Sequence, residues 1–253
     1  MQLDNFDGFF WLLGLLAPLL LLQRSLHREI QGVFLLITRR ADISLALFSL
    51  LFFPGVLLHE LSHFIMSRLL GVPTGRISLL PRPLEDGRLQ LGFVETGRTD
   101  IFRDALIGMA PLLAGGLCVT LTGMRGLGLD GAWTTLVAGW PATFSQAFRE
   151  VVVRPDFWLW FYLTFVISST MLPSASDRRA WLPLLLVLSI LLGIVLLAGA
   201  GAWLVAHLAP VLNSALRALD AVFGISVVVH ALILLPMWLL RKLISKITRL
   251  QVV

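Results

Sequence analysis

The sequence predicts an all-α polytopic membrane protein with about five to six transmembrane helices and a small membrane-associated β hairpin or sheet. Hydrophobic residues make up 57% of the 253-residue chain, and the mean hydropathy is +0.88. A soluble domain of this length could not bury so much apolar surface. Four uncharged runs also reach the roughly 20 residues that a helix needs to cross a hydrocarbon core. These runs are 105–124, 157–176, 180–206 and 221–240.

Two further segments are candidate spans, although each is irregular. Residues 43–70 are apolar apart from a cluster of ionisable side chains near the middle, and 8–22 hold 15 uncharged residues with Pro18 among them. The shorter run is the weaker candidate because it falls below the usual span length. Residues 131–148 are uncharged but contain polar side chains and a proline, which favours one helix lying at the membrane interface.

The polar segment 71–104 predicts the β element. Its "LEDGRL" contains an Asp-Gly pair, a strong signal for a tight turn. After the turn, "LQLGFVE" alternates with a period of two, so that Leu89, Leu91 and Phe93 share one side of a strand. Pro81 and Pro83 should keep the preceding strand short and at an edge.

The charge distribution indicates a membrane environment and no nucleic-acid partner. The net charge of +5 comes almost wholly from arginines that flank apolar runs, without the interleaved basic and aromatic residues of a nucleic-acid surface. If 43–70 runs inward, positive residues are modestly in excess in the loops after it and in the C-terminal tail, which predicts a cytoplasmic C-terminus. The arginine-rich, cysteine-poor composition favours a bacterial plasma membrane. The predicted partner of most of the chain is the lipid bilayer.

The cluster in the 43–70 span reads "HELSH" and contains His59, Glu60 and His63. A carboxylate at the centre of a bilayer costs roughly 2.5–3.5 kcal/mol on insertion scales, so its presence there points to a function. Residues four apart lie on one face of a helix, which places the two imidazoles within reach of one metal ion. Glu60 lies about 100° around the helix, where it can act on a water molecule without binding the metal. H-E-x-x-H is the signature of zinc hydrolases; the alternative is a structural polar cluster.

A catalytic zinc site needs a third protein ligand, and Asp177 is the predicted one. It ends the 157–176 span in "SSTMLPSASDRRAW", where Pro173 can break the helix and let the chain turn inward. The alternative is an interfacial aspartate paired with Arg178 or Arg179. The other histidines are poorer candidates: we expect His230 to be a packing residue within its span, with a supporting role at the site as the alternative. His27 and His207 should lie at the interface.

These residues together resemble the intramembrane site-2 zinc metalloproteases. In that family H-E-x-x-H is followed by a small β element, then a helix with an A-G-P-small-A-N pattern, and then N-x-x-P before an aspartate. Here the order over about 43–180, roughly half the chain, is "HELSH", the β element at 75–96, "GMAPLLAGG" and "TMLPSASD". The departures make this a divergent member: no Gly precedes Pro111 in the second motif, no Asn follows it, Thr170 stands in place of Asn, and Arg178 replaces Gly.

The resemblance implies a metalloprotease core at 43–180 that hydrolyses peptide bonds of transmembrane protein or peptide substrates. Zn²⁺ would be held by His59, His63 and Asp177, with Glu60 as the general base. From the alternation and position of the β element, we also expect an exposed strand at 76–81 or at 89–95, the latter with Leu89, Leu91 and Phe93, to hold the unwound substrate by strand addition. The other divisions are an N-terminal membrane or interfacial segment at 1–42 and, at 181–253, two additional transmembrane helices with a basic cytoplasmic tail. Two alternatives stay open: a catalytically silent membrane scaffold or complex subunit, and a transporter or channel with a metal site at the midplane.

Overall fold

The computed structural model describes residues 7–79, 81–83, 89–139 and 142–250, and it confirms the predicted fold class. The chain is mainly helical, with a small β element after the second helix. In chain order, the elements are α1 (Asp7–Thr38), α2 (Ala41–Leu69), β1 (Thr74–Ser78), β2 (Arg82–Pro83), β3 (Leu89–Gln90), β4 (Phe93–Thr96), α3 (Ile101–Thr120), α4 (Leu129–Gly139), α5 (Phe144–Val152), α6 (Phe157–Thr170), α7 (Trp181–Leu197) and α8 (Gly201–Thr248).

Four helices of the described chain are long and apolar enough to cross a membrane. They are α1, α2, α8, and α3 together with the π-helical turn Leu121–Gly126 that continues it. A fifth span results if α5 and α6, which meet at 92°, are counted as one broken segment. The described chain therefore belongs to a multi-pass membrane protein and has four spans, fewer than the predicted five to six, or five if the broken segment is counted.

The C-terminal third differs from the prediction of two spans joined by a loop. The run 180–206 is divided near Gly199, which adopts a φ of +83°, so α7 is only 17 residues long. The following helix, α8, then continues for 48 residues through 207–220, where a loop was predicted. The charged residues that suggested the loop are accommodated in the helix: Arg217 forms an ion pair with Asp7 at the start of α1.

Helices α1 and α8 pack side by side and run in the same direction. The Gly8 N–H donates to the Asn213 side-chain oxygen (2.9 Å), and Arg241 Nε donates to a Glu29 carboxylate oxygen (2.5 Å). Numbering therefore rises together along both helices. The segment predicted as membrane or interfacial, 1–42, contributes one 32-residue helix from Asp7 onward, well beyond the run 8–22.

This direction places the basic C-terminal end of α8 opposite the β element. Only Arg39 and Arg40 separate α1 from α2, so α2 returns antiparallel to α1 and carries β1 to the other end of the bundle. The prediction that the C-terminal tail and the loop 71–104 share one side of the membrane is wrong, because it required the turn over 207–220. With the tail at the end that holds Arg39 and Arg40, the modest excess of positive residues on the side of the loop 71–104 disappears.

Two other segments differ from the bounds that their apolar runs predict. Helix α6 stops at Thr170, and the chain turns over 171–180, around Pro173, instead of continuing to 176. The run 131–148, predicted to form one helix at the interface, contributes instead to two helices, α4 and α5. Residues 140 and 141 lie outside the described residues.

The β element consists of two short antiparallel pairs, in agreement with the predicted hairpin. β1 pairs with β4, with Ile77 opposite Val94 and Ser78 opposite Phe93, and β2 pairs with β3. Pro83 lies in β2, which is only two residues long, and this agrees with the prediction that the prolines keep that strand short. The predicted Asp-Gly turn falls in 84–88, outside the described residues.

A close contact between α2 and α6 positions the functional region. A side chain at Gly55 would place its Cβ 2.4 Å from both the Val166 carbonyl oxygen and Thr170 Oγ1. Glycine is thus required for these helices to approach so closely. Phe52 and Phe165 pack beside this contact with ring centroids 5.4 Å apart. As a result, the end of α6 lies against α2 just before the "HELSH" segment.

Candidate metal centre

The two histidines of α2 point their Nε2 atoms at each other. Because they are four residues apart on one helix, His59 and His63 lie one turn from each other on the same face. Their Nε2 atoms are 3.2 Å apart, and the ring centroids are 4.9 Å apart. His63 is buried and His59 is partly buried. The predicted pairing of the two imidazoles is thus present in the structure.

Backbone carbonyls of two other helices fix both rings. His59 Nδ1 lies 2.7 Å from the carbonyl oxygen of Thr170 at the end of α6, and His63 Nδ1 lies 2.9 Å from that of Ile107 in α3. A carbonyl only accepts hydrogen bonds, so each Nδ1 carries a proton and Nε2 is the nitrogen of each ring that is left to bind a metal ion. This arrangement is typical of metal-binding histidines, whose second nitrogen donates to a carbonyl or carboxylate.

Asp177 completes the group from the turn that follows α6. Its Oδ2 lies 3.6 Å from His59 Nε2, and its Oδ1 lies 3.3 Å from His63 Nε2. The Ser174 N–H donates to Oδ2 over 2.7 Å, which holds the carboxylate towards the histidines. The turn lies on α3 at Gly108, where a Cβ would come within 1.9 Å of the Asp177 carbonyl oxygen.

The three groups have the spacing that a tetrahedral metal ion requires. Ligands 2.0–2.1 Å from a tetrahedral zinc ion lie about 3.3 Å from one another. The shortest measured separations among His59, His63 and Asp177 are 3.2, 3.3 and 3.6 Å. When each residue offers one ligand atom, the three atoms lie within 4.8 Å of one another. The cluster could therefore hold a metal ion, bound by the two imidazoles and the carboxylate.

The surroundings keep the Asp177 carboxylate ionised and available. Burial by itself raises the pKa of Asp177, but the hydrogen bonds with His59, His63 and Ser174 outweigh burial and hold the pKa below its usual range. The alternative prediction, in which Asp177 pairs with Arg178 or Arg179, does not describe the structure. Arg178 Nε donates to the Ser174 carbonyl oxygen. Arg179 binds Asp104 of α3 through two hydrogen bonds of 2.7 and 2.8 Å, and so ties the turn to α3.

Glu60 is buried beside the ligand group but does not belong to it. Its side chain meets the backbone just before β4: a Cβ added at Gly92 would lie 2.8 Å from Glu60 Cγ and 2.9 Å from Oε1. Glycine at position 92 leaves room for the carboxylate. Glu60 and all three candidate ligands line one cavity of about 680 Å³. A carboxylate that faces a cavity beside a metal centre is placed to transfer protons.

The β element forms one wall of this cavity. Leu91, Phe93 and Val94 line it together with residues of α2. Two of the three predicted substrate-binding side chains, Leu91 and Phe93, therefore lie at the site. The third, Leu89, belongs to β3 by its backbone, but its side chain lies outside the described residues.

The cavity also contains polar residues that sequence reasoning did not place there. His27 was expected at the interface, yet its ring packs against Phe48 and Phe52, with centroids 5.4 and 4.9 Å apart, and it lines the cavity together with Ser169. His230 is fully buried and contacts Ser169 Oγ at 2.9 Å. No motif marks His27; only its polarity within a predicted membrane segment could have drawn attention to it.

Comparison of the chain with protein-family models, with curated proteins and with solved structures finds no significant match.

Proposed function

We propose that this protein is an intramembrane zinc metalloprotease that hydrolyses peptide bonds of transmembrane proteins or peptides. The observation that carries the proposal is the set of three ligand groups whose nearest atoms are 3.2–3.6 Å apart, with a buried glutamate beside them in one cavity. The sequence resemblance to site-2 proteases supports the same activity. The arginine-rich, cysteine-poor composition supports a bacterial plasma membrane as the location.

The donor set favours zinc among the common metal ions. Two imidazoles and one carboxylate are a typical catalytic zinc set, which leaves a fourth position for water or substrate. Calcium and magnesium prefer all-oxygen ligands, so a site with two nitrogen donors suits them poorly. A helical pair of histidines with a glutamate between them also fits zinc hydrolysis better than transport.

Several residues around the proposed zinc site would each have a role in peptide hydrolysis. When bound, zinc supplies Lewis acidity for the peptide carbonyl and for the attacking water. Glu60 accepts the proton from that water as it attacks the carbonyl carbon, and then gives the proton to the amine that leaves. Thr170 and Ile107 orient the two imidazoles through their carbonyl oxygens. Gly92 leaves space for the Glu60 carboxylate to move between these two proton positions.

The substrate would bind as an added strand along β4. A helical peptide hides its carbonyls in internal hydrogen bonds, so it must unwind before hydrolysis. β4 pairs with β1 on one edge, and the described residues show no strand on its other edge, while several of its side chains line the cavity. An extended peptide could pair with that edge and pass the metal centre.

Replacement of Leu91 by proline tests this binding mode. Leu91 precedes β4 and lies outside its pairing with β1, so proline removes one N–H at the cavity without breaking that pair. We expect a severalfold or larger rise in KM for a transmembrane peptide, with unchanged zinc content. Leu91→Ala is the matched control, because it shortens the side chain but keeps the N–H. Equal KM values for the two variants would contradict strand addition at this point.

The decisive experiment for the proposed activity combines metal analysis with cleavage. The purified full-length protein, reconstituted in lipid vesicles, is analysed for metal and incubated with a panel of transmembrane peptides. We expect one zinc per chain and cleavage that a chelator stops and added zinc restores. A protein that binds zinc but cleaves none of the panel supports the silent scaffold, and zinc flux across the vesicles supports the transporter.

A further inference from the structure

We propose that the cavity contains a second polar subsite, formed by His27 and Ser169, that selects an uncharged hydrogen-bonding side chain in the substrate. The inference rests on the proposed function for the identity of the ligand. The subsite lies at the junction of α1, α2 and α6, and its Ser169 end is next to Thr170, whose carbonyl oxygen contacts His59. It would recognise a hydroxyl or primary amide, as in serine, threonine, asparagine or glutamine.

The first observation is an unsatisfied nitrogen. The Nε2 atom of His27 is inaccessible to solvent and has no hydrogen-bond partner within the described part of the chain. Buried polar atoms are nearly always paired, because an unpaired one costs about 1–3 kcal/mol. The His27 ring packs against both Phe48 and Phe52. His27 lines the cavity, so a ligand that displaces a side chain now covering Nε2 would satisfy this atom.

The second observation is the hydrogen bonding of Ser169. His230 Nδ1 lies 2.7 Å from the carbonyl oxygen of Ser226, so it carries the ring proton and leaves Nε2 as an acceptor. Ser169 Oγ, 2.9 Å away, must then donate its hydrogen to His230 Nε2. Its oxygen keeps lone pairs that can accept from a ligand. Gln23, one turn before His27 on α1, also donates to the Ser169 carbonyl and ties the two helices together.

The position of the subsite predicts which residue of the substrate it binds. His27 packs on Phe52, which precedes His59 by seven residues on the same face of α2. Two helical turns correspond to about 10 Å. An extended peptide rises about 3.3 Å per residue, so the His27 end of the subsite lies about three residues from the bond held at the metal, and the Ser169 end lies nearer to it. Val56 lines the cavity between the two points and keeps that stretch apolar.

The charge distribution favours a neutral ligand. The charged residues of the described chain that line the cavity belong to the metal end: Glu60, Asp104, Asp177 and Arg179. The subsite itself offers one imidazole nitrogen and one hydroxyl oxygen. A side chain with both a donor and an acceptor pairs with both, whereas an aliphatic side chain leaves both unpaired.

The test uses peptides in which a single Ser, Thr or Asn is moved along an otherwise Leu/Ala transmembrane helix. Binding is measured in vesicles with the full-length Glu60→Gln protein, and cleavage is measured with the wild type. We expect one position at which the polar residue improves binding about tenfold or more over Ala. His27→Leu should remove this preference and His27→Gln should restore part of it, both with unchanged zinc content. His207→Leu, at an exposed histidine stacked on Trp203, should keep it.

The same data separate the subsite from the proposed function. A positional preference that depends on His27, in a protein that cleaves nothing, supports the subsite and removes the protease. Cleavage that shows no preference at any position, or the same preference in His27→Leu as in the wild type, overturns the subsite and leaves the protease standing. The Gln variant guards against a general packing defect, because it keeps a polar group of similar reach.

Discussion

Replacement of Glu60 by glutamine is expected to reduce peptide cleavage at least about a thousandfold while the protein retains its zinc. Glutamine has nearly the same shape as glutamate but cannot accept and deliver a proton, and general acid–base catalysis contributes up to about 10⁴ in rate. The side chain lies outside the ligand group, so metal binding should not change. Neutralising a buried carboxylate should also leave folding intact or improve it.

The measurement compares single-turnover cleavage of one transmembrane peptide by both proteins at matched zinc content. Glu95→Gln is the matched control, because Glu95 is a glutamate of the neighbouring strand β4 that is exposed and does not line the cavity. It should keep wild-type turnover. Retained cleavage in Glu60→Gln would refute the general-base assignment, and loss of zinc would show that Glu60 is needed for the metal site itself.

Gly108→Ala is expected to weaken zinc binding about tenfold to hundredfold, although residue 108 carries no ligand. The added Cβ would lie 1.9 Å from the Asp177 carbonyl oxygen and 2.8 Å from its carbonyl carbon. These are backbone atoms, so the whole turn must move away from α3. A shift of even 1 Å separates the carboxylate from the two imidazoles, and residues that orient ligands typically contribute 10–100-fold to metal affinity.

Gly116→Ala is the control for this prediction. Gly116 lies two turns further along the same helix, and a Cβ there would meet Val222 only at 3.8 Å, an ordinary contact distance. Competition with a chromogenic chelator gives the zinc affinity of both variants, and thermal unfolding in detergent reports their stability. Equal zinc affinities for the Gly108 and Gly116 variants would mean that the turn around Asp177 is not held by its contact with α3.

The candidate site could be predicted in part because local geometry is contained in the sequence. The spacing of His59 and His63 on one helix fixes their common face wherever that helix packs. Glu60 could be identified because a carboxylate in an apolar span is costly and therefore informative. The membrane class followed from composition alone, since apolar surface of this extent has no other stable environment.

The direction of α8 could not be predicted from local sequence. Hydropathy marks the apolar runs 180–206 and 221–240, but a continuous helix and two spans with a loop give nearly the same pattern. The ion pairs from Asp7 to Arg217 and from Glu29 to Arg241 stabilise the continuous form of α8, and each joins residues more than 200 positions apart. Such pairings are not visible in local sequence.

The sequence by itself therefore determined the membrane class, the paired histidines with their glutamate, and the short β element, because each depends on a local repeat or on composition. Only the tertiary structure decided that Asp177 reaches the two imidazoles, that α8 is continuous, and that His27 lines the same cavity. Those three results depend on contacts between distant segments, such as the approach of the Asp177 turn to Gly108, and no periodicity along the chain encodes a contact of that kind.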